Sequence, residues 1–336
     1  MSQEIYQLDA EAKKPYFELA SSLSGKSFEV LEKDYWVVWT LNQLFSLSDL
    51  KDHLTFKGGT SLSKVYGIIN RFSEDIDVSI ERSFLGYGDD KAPENMPSKN
   101  KQAALLDDIS KASAKYIQER LLPDLAAAVE KKLGTKDGWK IIVDPDDAQT
   151  LLFYYPAITK NEGYIRQFVK IEMGARSEHW PVSIHSIQSY VKTALQNKIL
   201  EPETKIRVLN AERTFWEKAT ILHQYAHLPD AKPLPTRLSR HLYDFHQLLN
   251  SPVKEIALQQ LDLLERVANH KKIYFSSGWA NYDSARKGTL KLYPQDRILS
   301  ELESDFKQMQ PMFFGDVPKW KAILENIKTF EETFNK

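Results

Sequence analysis

Residues 53–80 read HLTFKGGTSLSKVYGIINRFSEDIDVSI. The apolar run at 53–56 leads straight into Lys57-Gly58-Gly59-Thr60, the grammar of a strand, a tight turn and a helix start. Residues 61–66 begin the helix. Residues 75–80, DIDVSI, alternate polar and apolar and read as a second strand. Two glycines let the backbone turn sharply and approach a ligand with no side chain in the way. The helix start that follows exposes unpaired N–H groups, which favour phosphate oxygens. Thr60, Ser61 and Ser63 add hydroxyl donors.

Asp75 and Asp77 stand at i and i+2, so on a strand both carboxylates point to one face. Such a pair suits Mg²⁺, a hard ion that prefers oxygen ligands and commonly takes substrate phosphates as well. The chemistry this favours is phosphoryl transfer, with the metal neutralising charge at phosphorus and orienting the attacking oxygen. A third acid is expected across the sheet. Glu172 is the candidate, because it sits mid-way along the apolar run FVKIEMG at 168–174. There it holds the metal or activates the attacking hydroxyl. The same residue also reads as a strand carboxylate paired with a neighbouring Lys or Arg.

Outward from this segment, residues 9–22 and 28–47 have helical spacing, the second through Phe28, Leu31, Tyr35, Val38, Leu41 and Leu44. Residues 84–100 carry Gly, Pro, Asn and Asp and read as a loop. Residues 101–133 form a long helical stretch with an interruption at Pro123. Strands are expected at 139–143, 150–155 and 165–173. After Pro181 the pattern becomes helical, at 187–196, 210–226, 237–249, 253–268, 296–308 and 317–334. The expected organisation is therefore two domains. Residues 1–180 form an α/β part with a mixed sheet, and residues 181–336 form a helical bundle. A chain of 336 residues is long for one core, which agrees with two.

Composition narrows the classes. With 42% hydrophobic and 27% charged residues, the chain reads as an ordinary globular protein. A net charge of −1 argues against a polycation that coats nucleic acid, while leaving room for a local basic surface. The absence of cysteine excludes a disulfide framework and leaves any zinc site to His and carboxylates. The opening MSQEIYQLDAEAKK lacks the apolar stretch of a signal peptide, and apolar runs such as YWVVW at 35–39 are far too short to span a bilayer. A cytoplasmic protein without a membrane segment is expected.

The segment GGTSLSK at 58–64 followed by RFSEDID at 71–77 resembles the AbiEii/AbiGii family of nucleotidyltransferase toxins, which includes the mycobacterial MenT toxins. The resemblance continues through ERTFWEK at 212–218 and RHLYD at 240–244, so it spans roughly residues 55–245. It implies an α+β fold, with a polymerase-β-like nucleotidyltransferase core and a C-terminal helical bundle. It also implies a toxin of a bacterial toxin–antitoxin or abortive-infection pair, held in check by a cognate antitoxin. Some relatives add nucleotides to the acceptor end of tRNA. By this resemblance Lys57, Gly58, Gly59, Thr60 and Ser61 hold the NTP, the two hydroxyls meeting its phosphates. Asp75 and Asp77 bind Mg²⁺, Lys218 contacts the triphosphate, and Asp244 is a further essential acid. Two departures stand out. The turn has Gly-Thr-Ser where the wider superfamily often has Gly-Ser, which leaves open which hydroxyl meets phosphate. The interval from Thr60 to Asp75 is also long for that superfamily.

The later blocks have plainer readings too. Lys218 lies off the apolar stripe Phe215, Ala219, Leu222, as a solvated helix lysine would. Arg240 and Asp244 stand at i and i+4, the spacing of a simple helix ion pair. His223, His227, His241 and His246 lack an HExxH pattern, and the spacing of the second pair is poor for one helix face, so zinc is disfavoured. Residues 271–291, KKIYFSSGWANYDSARKGTLK, set Lys271, Lys272, Arg286, Lys287 and Lys291 against Asp283, with Tyr274, Phe275, Trp279 and Tyr282 interleaved. That pattern suits RNA, with phosphates on the cations and bases on the rings; a structured loop packed on the bundle is its alternative. Two further functions fit the same sequence: transfer to a protein or small-molecule hydroxyl, and a non-catalytic nucleotide-binding regulator.

Overall fold

The computed structural model of the chain describes residues 4–158 and 165–336. It divides into two compact units. The first runs through Val65 and adds Ser73–Ala92 and Ala103–Val208; the second comprises Tyr66–Phe72, Pro93–Gln102 and Leu209–Lys336.

The first unit opens with helices α1 (Ala10–Ser24) and α2 (Phe28–Leu44), each begun by a side-chain cap, Asp9 on the Ala12 amide and Ser27 on the Val30 amide. Strand β1 (Leu54–Lys57) passes into the short helix α3 (Gly58–Lys64), and β2 (Ile76–Ile80) follows. Helix α4 (Lys99–Tyr116) runs through a wider turn at Ile117–Leu121 into α5 (Leu122–Leu133). Pro123 explains that turn, because its ring has no N–H and crowds the carbonyl of the preceding turn. Strands β3 (Lys140–Asp144), β4 (Asp147–Tyr154), β5 (Val169–Gly174) and β6 (Val182–Ile187), the helix α6 (Tyr190–Leu195) and β7 (Thr204–Leu209) complete the unit.

The seven strands form one mixed sheet in the order β3-β4-β5-β2-β1-β7-β6. The β1–β2, β3–β4 and β4–β5 pairs are antiparallel, whereas β2–β5 and β1–β7 are parallel. One face is apolar, with Phe56, Val78, Ile171 and Phe153 all fully buried. Helix α2 packs there, its Trp36 and Trp39 rings 6.1 and 5.9 Å from Phe153. The sequence suggested one apolar stripe on α2, but apart from Asn42 every residue from Val30 to Leu44 is buried, so this is a central helix.

Residues 181–208, assigned to the helical half by the sequence reading, belong to the first unit, because β6 and β7 extend its sheet. Thr204, Ile206 and Val208 face inward in strict alternation with Lys205 and Arg207. The helix expected at 187–196 shortens to α6 accordingly.

The second unit is helical: α7 (Ala211–Ala226), α8 (Ser239–Leu249), α9 (Val253–Leu258), α10 (Leu261–Tyr274), α11 (Leu299–Gln308) and α12 (Trp320–Phe334). The helix expected over 253–268 is thus two. Phe215 and Trp216 of α7, Phe245 of α8, and Phe330 and Phe334 of α12 form an aromatic core with ring separations of 4.9–5.8 Å. The α+β class, mixed sheet and C-terminal helices agree with the expected fold. Among the described residues, no helix is long and apolar enough to cross a membrane.

Candidate active site

Strand register brings the acidic residues together. Lys57 lies opposite Asp77 in the β1–β2 pair, and Asp77 lies opposite Glu172 in the β2–β5 pair. Opposed residues share a face, so Lys57, Asp77 and Glu172 form a row across three strands on the side away from Phe56 and Val78. The carboxyl groups of Asp77 and Glu172 interact directly. Burial first, then the charges of Glu172 and Asp75, push Asp77 up to about 6 against the opposing pull of Lys57. Glu172 is more open, with 41% of its side chain exposed, and is ion-paired with Lys170.

The glycine turn abuts this row directly. Gly58 has φ +80°, a conformation that favours glycine. A Cβ there would fall 2.1 Å from Asp77 Oδ2, so the carboxylate occupies the space that a side chain would need. Asp75 sits one residue before β2, and its carbonyl accepts the Thr60 hydroxyl at 2.5 Å. Thr60 also lies 2.9 Å from Ser73 Oγ, and the Ser61 hydroxyl donates to the Gly58 carbonyl at 2.8 Å. Both residues are fully buried. The two hydroxyls that the sequence offered to phosphate are therefore engaged in bracing the turn.

A second polar row continues along the same sheet face. Thr55 and Ser79 are register partners, and His179 spans them, with Nδ1 2.7 Å from Thr55 Oγ1 and Nε2 3.2 Å from Ser79 Oγ. Burial holds His179 down at about 4, so it is a neutral imidazole at pH 7.

Three acidic oxygen-bearing groups suit a hard cation, and the mutual repulsion around Asp77 is what a cation would relieve. Among the described residues, however, no three acids or histidines converge into a ready-made metal cage. Asp75 acts on Asp77 through its charge without closing such a cluster. The donor set thus fits an ion held by two carboxylates and completed by other ligands, the usual manner of Mg²⁺.

Lys218 and Asp244 meet within the second unit. Asp244 is fully buried and is gripped by Arg71 through Nε at 2.7 Å and Nη2 at 2.9 Å, and by Lys218 Nζ at 2.7 Å. Lys218 Nζ is also 3.0 Å from His241 Nδ1. Although burial opposes it, the two cations hold the Asp244 carboxyl well below the usual carboxylate range. Burial, followed by the charges of Lys218 and Arg240, keeps His241 well below the usual imidazole range, so Nδ1 accepts from the ammonium. Arg71 comes from Tyr66–Phe72, the part of the Thr60–Asp75 interval that belongs to the second unit. That excursion accounts for the interval's length: the Asn70 amide donates to Tyr243 Oη and the Phe72 amide to the Met312 carbonyl.

The family model "Nucleotidyl transferase AbiEii toxin, Type IV TA system" matches residues 39–335, which contain every residue of these clusters. The chain belongs to this family. Among solved structures, this AbiEii-family chain is similar to MenT4, a nucleotidyltransferase toxin from Mycobacterium tuberculosis H37Rv, at 13% identity and a TM-score of 0.49, with 95% of this chain and 96% of that chain covered. It is also similar to JHP933 from Helicobacter pylori, at 14% identity and a TM-score of 0.33, with 89% and 94% covered. No curated protein matches it.

Segment 271–291 of this AbiEii-family chain is partly committed to packing. Tyr274 and Tyr282 are buried, bonded to Glu94 and to Gln224 Oε1. Lys271 donates to the Glu217 carbonyl at 3.0 Å and Lys272 pairs with Asp283 at 2.6 Å. Phe275, Arg286, Lys287 and Lys291 remain exposed. His223 is a structural residue: Nδ1 accepts the Lys291 amide at 3.0 Å while Nε2 faces the Asn281 carbonyl at 3.0 Å.

Sequence reading passed over Lys33, Asp34, His179 and Arg71 as a partner of Asp244, and weighed His241 only as a disfavoured zinc ligand. For Lys33 and Asp34 a signal existed, the charged triplet Glu32-Lys33-Asp34 inside an otherwise apolar helix. For His179 and His241 only the folded contacts reveal a role.

Proposed function

We propose that this chain is the toxin of a toxin–antitoxin pair that acts in the cytoplasm, uses Mg²⁺, and transfers a nucleoside monophosphate from an NTP to a hydroxyl at an RNA end, breaking the α–β phosphoanhydride and releasing pyrophosphate, with the tRNA acceptor end as the favoured acceptor. The observation that carries this reading is the Asp77–Glu172 pair pressed against the Gly58 turn. Asp77 and Glu172, with Asp75 beside them, would hold the ion. When bound, it supplies charge neutralisation at the transferring phosphorus.

The chain's own residues do the rest. Gly58 leaves the carboxylates and a phosphate room to approach the backbone closely. Lys57 places a positive charge next to Asp77 and favours an anionic ligand. Glu172 is the accessible acid of the row and is suited to take a proton from the attacking hydroxyl at a carboxylate oxygen. Thr60 and Ser61 keep the turn in shape. Within the second unit Asp244 orients Lys218 as a fixed counterion, and the family resemblance assigns Lys218 to the triphosphate.

The test is direct. The purified chain is incubated with Mg²⁺, each labelled NTP and total RNA, and label is expected in tRNA-sized bands. Label in protein or in a small acceptor would replace the RNA reading; no label with any acceptor refutes transfer. In bacteria, expression of the wild type is expected to slow growth and Asp75→Ala to abolish the effect. Equal growth arrest from both would reject the catalytic account of toxicity.

A further inference from the structure

Glu32, Lys33 and Asp34 are consecutive on α2, and each is no more than 2% exposed. Buried charges are costly unless paired and hydrogen-bonded, and each of these reaches a different segment of the first unit. Glu32 Oε1 accepts the Ile158 amide at 2.6 Å. Lys33 Nζ donates to the Arg166 carbonyl at 2.8 Å and is ion-paired with Glu74 at 3.1 Å, in an alignment short of a hydrogen bond. Asp34 takes the Lys64 ammonium at 2.6 Å and the Tyr190 amide at 2.6 Å. Successive helical residues project about 100° apart, so one helix sends three struts in different directions.

Two of those struts end on the candidate site. Glu74 immediately precedes Asp75, and Lys64 is the last residue of α3, the helix that Gly58 opens. Thr60 in α3 donates to the Asp75 carbonyl. The contacts therefore close a ring: α3 to Asp34 through Lys64, Lys33 to Glu74, and Asp75 back to α3 through Thr60. We propose that Lys33 and Asp34 are positioning residues that set the spacing between the glycine turn and the acidic pair Asp75 and Asp77, by tethering both to one rigid helix. The proposal rests on the nucleotidyltransferase reading given above. It concerns what holds the metal-binding acids in place, since neither residue is placed to touch the reacting atoms.

The test uses the full chain and charge-neutral double variants, because removing one partner leaves the other charge buried and unpaired. Lys33→Met/Glu74→Gln is compared with the wild type for melting temperature, and for kcat and KM for the NTP at saturating Mg²⁺ and RNA. Misplaced acids lower the chemical step more than nucleotide binding, so the double variant is expected to melt close to the wild type. Its kcat is expected to fall at least about tenfold, with KM within about twofold. A merely structural role would move melting and leave kcat intact, so a folded double variant with wild-type kcat overturns the proposal. If that variant fails to fold, Asp34→Asn/Lys64→Gln is read by the same criteria; failure of both to fold makes the residues structural and also overturns it. A wild type that transfers nothing to any acceptor overturns the underlying function instead, and is distinguished by the wild-type lane alone.

Discussion

At the residue scale, two of the aspartates singled out in the sequence, Asp77 and Asp244, sit in opposite electrostatic environments. Burial first, and then repulsion by Glu172 and Asp75, push Asp77 up to about 6. Asp244 is neutralised by Arg71 and Lys218 and stays ionised. Removing charge should therefore have opposite consequences for stability. Asp77→Asn relieves repulsion in the metal-free chain. It is expected to leave the melting temperature unchanged or raised, while lowering transfer by on the order of 10²-fold or more. Asp244→Asn leaves two buried cations without a full counterion and is expected to lower stability by about 3–5 kcal/mol. Denaturant unfolding of both variants, with transfer assays on the first, checks this. A stability loss in Asp77→Asn comparable to that in Asp244→Asn would mean that Asp77 is a structural acid. Thr60 and Ser61 show how a local contact can add a second role to a residue chosen by type. A hydroxyl after a glycine turn suits phosphate, but it equally suits a nearby backbone carbonyl, and here it donates to those of Asp75 and Gly58.

At the element scale, the β1–α3–β2 unit was legible because everything that makes it is local: a glycine pair at a positive-φ turn and a period-two strand. The two strands after Pro181 were not. The segment VSIHSI has a half-exposed, polar pattern and is a strand only because β7 lies beside it in the sheet. For β7 the alternation was present in TKIRVL, but the shift to helical spacing around it dominated. The charged triplet on α2 was visible, but its partners were illegible for the same non-local reason, since Asp34 finds them 30 and 156 residues away. His223 shows how such pairing sets a pH response. Burial holds it down at about 4, against an ordinary value of 6.5. Between those values the unfolded chain binds more protons than the folded one, so this stability is full above about pH 6.5 and is lost as pH falls through about 4. Protonation at Nδ1 would oppose the Lys291 amide that it now accepts. Wild type is expected to lose up to about 3 kcal/mol from this group over that window. His223→Gln, compared by unfolding at pH 7 and pH 4.5, should show a shallower fall. Equal slopes would show that the imidazole is not the group responsible.

At the scale of the whole molecule, a nearly neutral chain would have to attract the proposed RNA acceptor through local charge. The net charge of −1 provides no general attraction to phosphate. Segment 271–291 of the helical unit concentrates cations, but Lys271 donates to a backbone carbonyl and Lys272 is offset at the surface by Asp283. Arg286, Lys287 and Lys291 are the ones left exposed on a stretch of chain with no carboxylate among them. If these three meet phosphates of the proposed RNA acceptor, each contact releases counterions and adds to the salt dependence of binding. For single-stranded ends the contribution is roughly 0.7 per phosphate, so reversing all three to Glu is expected to reduce the slope of log K against log salt by roughly 2. A control separates local contact from bulk charge. Lys307, Lys321 and Lys328 lie exposed on α11 and α12, and reversing them changes net charge by the same amount. That control set is expected to leave the slope nearly unchanged. Filter-binding titrations of tRNA from low to moderate salt measure both. Equal losses from the two sets would place the attraction in overall charge, and an unchanged slope in the first set would remove this segment from the RNA interface.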